Sequence, residues 1–377
     1  MDDSEATEVV KAVREFVRTK VVPRELEIEE SDRIPDDLKT AAAGMGLYGF
    51  AIPEEHGGLG LSTYQETLLV MELGWTTPSF RSLFGTNNGI AGHVLIEGGT
   101  DGQKAEWLPR LASGDVTASF ALTEAEAGSD PSTMTTSANK TDGGYLVTGQ
   151  KRFITNAPSA DVFMVFARHG STDDISAFLV PRDSAGLSVG PKDAKMGQRG
   201  AWTADVHLDN VAVGDTGLVG GVEGIGFRTA MQCLAHGRIH IGALCVGMAQ
   251  RLLEETVGYA KSRKQSGQPI SEFQLIQGLI ADSAADVWSS RATVLAAARD
   301  FDSGADRRMA PSIAKYVASE AVGRVADRAV QVHGGSGYMS GVPVERFYRD
   351  ARLFRIYEGT SQVQQVIIAR QALRQLG

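Results

Sequence analysis

The chain has 377 residues, 42% of them apolar and 22% charged, a balance that excludes a disordered chain, a collagen and a small disulfide scaffold. Lys and Arg number 37 against 46 Asp and Glu, for a net charge of −9, so the bulk field repels phosphate polymers and nucleic-acid binding is not expected. Any anionic ligand has to be held by local cations.

Cys233 and Cys245 are the only cysteines. Two such residues make neither a disulfide framework nor a structural zinc set, no metal site is expected, and a reducing, cytoplasmic setting is the natural expectation. The acidic start, MDDSEATEVV, lacks the apolar stretch of a secretory signal. The longest nearly apolar run, Ile239 to Ala249, is too short to span a bilayer, so no membrane insertion is expected.

From Ser4 to about Ser113 the pattern is helical. Val9, Val10, Val13, Phe16 and Val17 form one apolar stripe, Leu38–Leu47 and Tyr64–Leu73 repeat the habit, and Ala51 to Gly58 reads as a loop. From about Phe120 to Gly224 the period falls to two. Tyr145–Gly149, Val162–Ala167, Ile175–Val180 and Ala204–Leu208 read as strands separated by turns. Short strands without helices between them predict an antiparallel barrel or sandwich. Helices return at Phe227. Phe227 to about Arg263 carries no Pro, and Phe273–Phe301 and Met309–Val332 follow, which predicts a bundle of long helices. The expected fold class is therefore α+β and multidomain: a helical domain at 1–119, a β domain at 120–225 and a four-helix-type bundle at 226–377.

The Rossmann fingerprint, the P-loop, H-E-x-x-H and G-x-S-x-G are all missing, so classical NAD dehydrogenases, nucleotide kinases and hydrolases lose weight. Four stretches stand out instead: Ala121-Leu122-Thr123-Glu124-Ala125-Glu126-Ala127-Gly128-Ser129-Asp130; Gly149-Gln150-Lys151-Arg152-Phe153-Ile154-Thr155-Asn156; Tyr259 through Gly267; and Arg349-Asp350 through Tyr357-Glu358-Gly359-Thr360-Ser361-Gln362. In that order, and over nearly the whole chain, the set resembles the acyl-CoA dehydrogenase family. The resemblance implies FAD, a thioester substrate and α,β-dehydrogenation in fatty acid or amino acid breakdown, with the α-proton going to a carboxylate and the β-hydride to flavin N5. It also implies electron transfer to an electron-transfer flavoprotein.

That chemistry needs a positioned base for a weakly acidic Cα–H, hydrogen-bond donors on the thioester carbonyl, and a cofactor, because no side chain accepts hydride. The resemblance makes Glu358 the base. Its segment ends one helical pattern, and Ser361 with Gln364 reads as an S-x-x-Q capping box for the last helix. Gly359 lets backbone approach a ligand closely. Some relatives carry the base on the long helix, beside the counterpart of Arg238. Here that neighbour is Gly237, which cannot serve.

The resemblance places Phe120, Leu122, Thr123, Phe153 and Thr155 around the flavin ring, with Phe153 as a flat shield. It places Ser129 against the cofactor or the thioester's pantetheine arm, and Thr360 and Gln362 against the flavin from the last helix start. Arg263, Gln274, Gln331, Gly334 and Gly335 would hold the dinucleotide of a neighbouring subunit, Arg263 through its bidentate fork. A homo-oligomer, usually a dimer of dimers, follows. Arg238, Tyr357 and Gly359 are implied substrate contacts. Ala235 departs from the family's usual Asp and Ser266 from its usual Phe; His236 is a candidate replacement for the Asp, and Lys195 a candidate cation for CoA phosphates. Two alternatives stay open: a dehydrogenase of a carrier-protein-bound acyl thioester, and a flavin-binding relative without dehydrogenase activity.

Overall fold

The computed structural model describes residues 1–170 and 172–376. Seven helices open the described chain: α1 (Asp3–Phe16), α2 (Glu25–Ser31), α3 (Asp36–Gly44), α4 (Thr63–Gly74), α5 (Pro78–Gly89), α6 (Ala91–Gly98) and α7 (Asp101–Ser113). Local sequence fixes three of the starts. Asp2/Glu5, Ser62/Gln65 and Thr100/Gln103 form reciprocal capping boxes on α1, α4 and α7. The predicted stripe on α1 turns inward, with Val13 and Val17 fully buried.

Seven strands follow: β1 (Ala118–Ala121), β2 (Ser137–Thr141), β3 (Gly144–Thr155), β4 (Val162–His169), β5 (Ile175–Pro181), β6 (Leu187–Val189) and β7 (Thr203–Gly214). They form one sheet in the order β1-β4-β2-β3-β7-β6, with β5 on the other edge of β4. Alternate residues of β4 go to different cores. Val162, Met164 and Phe166 pack with α6 and α7, while Phe163, Val165 and Ala167 pack inside the β domain. The expected β domain is present, but its pairing is not wholly antiparallel: β1 and β2 both run parallel to β4. The physical reason is that β1 reaches β4 only after a long crossover that contains β2 and β3, and such a crossover, unlike a hairpin, permits parallel pairing.

The last part holds α8 (Gly226–Ser262), a small hairpin of β8 (Lys264–Gln265) and β9 (Gln268–Pro269), then α9 (Gln274–Ser303), α10 (Met309–His333), α11 (Pro343–Ala351) and α12 (Ser361–Leu376). With 37 residues, α8 is a rod of about 55 Å. One core joins it to the N-terminal helices. Contact between α4 and α8 is backbone-close: a Cβ on Gly247 would fall 2.0 Å from the Met71 carbonyl, and one on Gly74 2.4 Å from the Leu244 carbonyl. That approach sets Glu66 of α4 directly against His236 and His240 of α8.

Candidate active site

Glu358 lies in the short connection between the 3-10 turn Arg352–Arg355 and α12. Its backbone is left-handed (φ +55°), as is that of Gly359 (φ +87°). A non-glycine residue held there costs on the order of 1–3 kcal/mol. Several contacts hold the turn. Lys315 Nζ donates to the Gly359 carbonyl at 2.7 Å, and Gln364 Nε2 donates to the carbonyls of Glu358 and Gly359 at 3.1 and 3.0 Å. The expected Ser361/Gln364 capping box is not formed. Thr360 Oγ1 is the cap, accepting from Val363 N at 3.2 Å, while Ser361 Oγ donates to Glu320. The motif was read one residue late, because a Thr and a Ser adjoin and the Gln side chain serves the turn instead.

The carboxylate points inward, and Oε2 is buried without a hydrogen-bond partner. Burial raises its pKa, opposed in part by Arg81, Arg238, Lys315 and His236. A Cβ built on Gly237 would sit 2.8 Å from Oε2 and 3.1 Å from Ile90 Cγ2. Gly237 is therefore more than a position that lacks a base: the carboxylate occupies the space its side chain would need. Tyr357 is half-buried beside Phe354, and burial raises its phenol pKa. Arg238 is buried and its Nε has no hydrogen-bond partner.

A second group gathers where β1 ends and β3 bulges. Phe153 has φ +58° at the register shift between Lys151 and Ile154, and its ring is 59% exposed, with Arg152 stacked over it at 4.9 Å. A large aromatic that is both strained and exposed is not core packing. Arg152 N donates to the Thr123 carbonyl at 2.8 Å, tying the two motifs together. Leu122 is buried, and Phe120 packs on Phe166 at 4.8 Å. The hydroxyls of Thr123 and Thr155 make no hydrogen bond among the described residues. Flat apolar cover beside free hydroxyl donors suits a planar heterocycle with polar edges, so these residues fit a flavin. Ser129 is exposed on the neighbouring loop, as is Gln362 at the start of α12.

Beneath this group lies a pair that sequence reading missed. Lys151, fully buried, donates to Glu124 Oε1 at 2.8 Å and to the Leu122 carbonyl at 3.1 Å. Glu124 also accepts from the N–H and hydroxyl groups of Thr135 and Thr136. Burial opposes the Glu124 charge, yet Lys151 and these donors hold its pKa at about 2; burial lowers Lys151 to about 8. Both residues stand inside quoted motifs, but nothing in their spacing announces the pair.

Arg263, Gln274, Gln331, Gly334 and Gly335 are exposed at the C-terminal ends of α8 and α10 and the start of α9. Tyr259 stacked on His333 at 4.2 Å holds the ends of α8 and α10 together.

Arg238 and Ala235 line a cavity of about 480 Å³ together with Glu97, Arg228, Arg307 and Arg308. An anionic carrier needs local cations, and few stand out in the sequence besides Arg238. The fold supplies three more, Arg228 from the first turn of α8 and Arg307 and Arg308 from the segment before α10. Two expectations fail here. His236 does not replace the missing Asp, because it is turned inward: its Nε2 lies 3.1 Å from Glu66 and its ring stacks on His93 at 4.1 Å. Lys195 does not face the cavity; its Nζ donates to the Ala201 carbonyl.

Three family models match the chain: acyl-CoA dehydrogenase, N-terminal domain (residues 3–115), middle domain (119–211) and C-terminal domain (224–373). The chain belongs to the acyl-CoA dehydrogenase family, FAD-dependent oxidoreductases acting on CH–CH bonds. It is 38% identical over 370 residues to an acyl-CoA dehydrogenase of Bacillus subtilis, covering 96% of each chain. It is 37% identical over 368 residues to subunit CarC of the caffeyl-CoA reductase–Etf complex of Acetobacterium woodii, covering 97% of each. The butyryl-CoA dehydrogenase structure from Megasphaera elsdenii superposes with a TM-score of 0.94 at 32% identity, over 99% of both chains. No helix among the described residues is long and apolar enough to cross a membrane.

Proposed function

We propose that this protein dehydrogenates an acyl-CoA thioester between Cα and Cβ, with Glu358 as the base, and passes the electrons to an electron-transfer flavoprotein. The observation that carries the reading is a buried carboxylate, its Oε2 without a partner, held on a strained turn in front of Gly237. Phe120, Leu122, Thr123, Phe153, Thr155, Thr360 and Gln362 would hold the flavin ring, and bound FAD supplies the hydride acceptor. Arg263, Gln274, Gln331, Gly334 and Gly335, all exposed, suit a dinucleotide brought by a second copy of the chain, which makes a dimer of dimers the expected assembly.

Each step assigned to this chain's residues follows from position. The raised pKa brings Glu358 nearer to the acidity of a thioester α-proton, which favours proton transfer. The Glu358 N–H has no acceptor among the described residues and can donate to the thioester carbonyl, where enolate charge builds. Gly359 leaves room for that approach, and Tyr357 keeps its proton throughout because burial raises its pKa. Arg228, Arg238, Arg307 and Arg308 would hold the carrier's phosphates, and Ser129 its pantetheine arm. These cations are the local exception to a net negative chain.

One observation favours a second reading. Ala235 puts a methyl on the cavity wall in place of a carboxylate that could bond the carrier arm, so an acyl group tethered to a carrier protein is the alternative substrate. Both readings are tested by adding acyl-CoA and acyl-carrier thioesters anaerobically to the FAD-loaded protein. Bleaching by acyl-CoA supports the first, and bleaching by carrier-bound thioesters alone supports the second. A flavin left oxidised by every thioester overturns both.

A further inference from the structure

His236 and His240 stand one turn apart on α8 and meet Glu66 of α4 in the interior; all three are buried. What faces each ring nitrogen fixes where the protons are. His240 Nδ1 lies 3.2 Å from Arg81 Nη2, which can only donate, so Nδ1 accepts. The His240 proton is then on Nε2, which donates to Glu66 Oε2 at 2.5 Å, and the ring is neutral. Burial, then the neighbouring His236, holds its pKa at about 3. His236 is placed differently. Its Nδ1 faces the Gly89 carbonyl at 3.4 Å, and its Nε2 lies 3.1 Å from Glu66 Oε2, off the line of a hydrogen bond but in ion-pair contact. Both nitrogens look at oxygen acceptors and neither at a donor. A bare nitrogen on either side would set lone pair against lone pair in a buried site, so both carry protons and His236 is an imidazolium. Burial opposes that charge and Glu66 sustains it.

The other groups packed on the ring agree. His93 of α6 stacks on it at 4.1 Å with planes only 7° apart, and burial, then His236, lowers the His93 pKa, which keeps that ring neutral. Glu97 of α6 stands behind His93, 3.6 Å from its Nε2, and α9 contributes the apolar ring of Phe301.

This cation adjoins the base. His236 directly precedes Gly237, whose missing side chain leaves the space that the Glu358 carboxylate fills. Burial disfavours the charge on Glu358, and Arg81, Arg238, Lys315 and His236 oppose that effect. Cys233 and Tyr357, also near Glu358, keep their protons because burial raises the pKa of both. Three of the four cations have further duties: Arg81 donates to His240, Arg238 lines the carrier cavity and Lys315 anchors the Gly359 carbonyl. Those three stay charged through the acidic range unaided. His236 depends on a partner carboxylate for its charge.

We propose that His236, charged and fixed by Glu66, is a positioning residue that keeps the buried base Glu358 ionised, with His240 and Arg81 locking Glu66 in place. This rests on the dehydrogenase reading above. The base has to be an anion when the thioester arrives, in a site where burial favours the acid form. The imidazolium supplies opposing charge without capping the base, because its two N–H groups are already directed at Gly89 and Glu66. Glu358 Oε2 is left without a donor and stays open to the α-proton.

The test follows anaerobic flavin bleaching of the FAD-loaded protein by its best thioester from about pH 4.5 to 9. His236→Gln removes the imidazolium outright, and Glu66→Gln removes it by leaving a buried histidine without a counter-charge. Both should move the acid limb upward by about one pH unit, so that bleaching below the limb falls about tenfold, the scale of losing a neighbouring opposite charge. Damage to the fold lowers the rate at every pH and leaves the limb where it was. Solid-state ¹⁵N NMR of the histidine-labelled protein reads the charge itself. At about pH 7.5, one unit above the ordinary histidine value, one strong imidazolium signal should remain, and Glu66→Gln should abolish it. If the single variants do not fold, Glu66→Gln with His236→Gln, which leaves no unpaired buried charge, takes their place. A limb unmoved by the substitutions, or a wild-type spectrum of neutral rings alone, would overturn the proposal while the dehydrogenase reading stands. A flavin that no thioester bleaches would overturn the dehydrogenase reading and the proposal with it.

Discussion

Replacing Gly237 with Ala tests whether the carboxylate of Glu358 is held where the structure places it. The new methyl would sit 2.8 Å from Oε2 and 3.1 Å from Ile90 Cγ2, so it is confined on two sides. Ordinary contact begins at about 3.4 Å, so the carboxylate has to retreat by about 0.6 Å. It has little freedom to do so, because φ is already +55° and the following carbonyl is pinned by Lys315. A misplacement of about 1 Å at a reacting group costs about a hundredfold, so kcat should fall between about ten- and a hundredfold. Stability should move much less. Gly to Ala in a helix gains about 1 kcal/mol, and overpacking costs about 1–3 kcal/mol, leaving a net loss of about 0–2 kcal/mol. Gly258 lies on the same helix with nothing within 4 Å of its position, so Gly258→Ala should stabilise by about 0.5–1 kcal/mol without altering kinetics. Rapid-mixing flavin reduction and urea unfolding on both variants give the comparison. A Gly237→Ala protein that reduces its flavin at the wild-type rate would refute the reasoning.

Lys151→Met leaves Glu124 as a buried charge without its cation and should destabilise by about 3–5 kcal/mol; adding Glu124→Gln should return part of that loss, and simple additivity in denaturant midpoints would count against the pair. The folded Glu124 carboxyl sits at about 2 against an ordinary 4.5, so its contribution is present above about pH 4.5 and is lost as pH falls toward 2; Glu124→Gln should flatten that limb of acid unfolding. Glu358 must be ionised to take a proton and its pKa is raised, so flavin bleaching should lose rate on acidification at a pH above the ordinary glutamate value of 4.5; a limb at or below that value would contradict the burial argument. Phe153→Ala should weaken FAD retention by about two- to tenfold, the worth of one aromatic stack, with an unfolding midpoint close to that of the wild type, because the ring is exposed; a large loss of stability would mark it as core.

The long helices were legible because their apolar spacing runs uninterrupted and their caps and breakers stand at the ends. Phe227–Arg263 was expected and Gly226–Ser262 is found. The strands were legible where at least one apolar face runs unbroken, as in Ala204–Leu208 and Val162–Ala167. β3 was read as Tyr145–Gly149 but continues to Thr155, because Lys151 faces inward and breaks the alternation. β2, Ser-Ala-Asn-Lys-Thr, has almost no apolar face to read. Parallel pairing could not be read either, since register is set by crossovers between distant segments. In the site, residues named by motif came together locally: Phe153 with Thr123, and Glu358 with Gly359. What stayed hidden needed three dimensions. Arg228, Arg307 and Arg308 meet only because α8 lies beside the segment preceding α10, and Arg81 meets His240 only because α4, α5 and α8 share one core.

The central claim is that Glu358 removes the α-proton, and Glu358→Gln tests it most directly, since the amide keeps size and shape but cannot act as a base. The FAD-loaded variant, mixed anaerobically with the best wild-type thioester, should retain its flavin and bind the thioester while its bleaching rate falls by at least about a thousandfold. Bleaching at a rate close to that of the wild type would contradict the account.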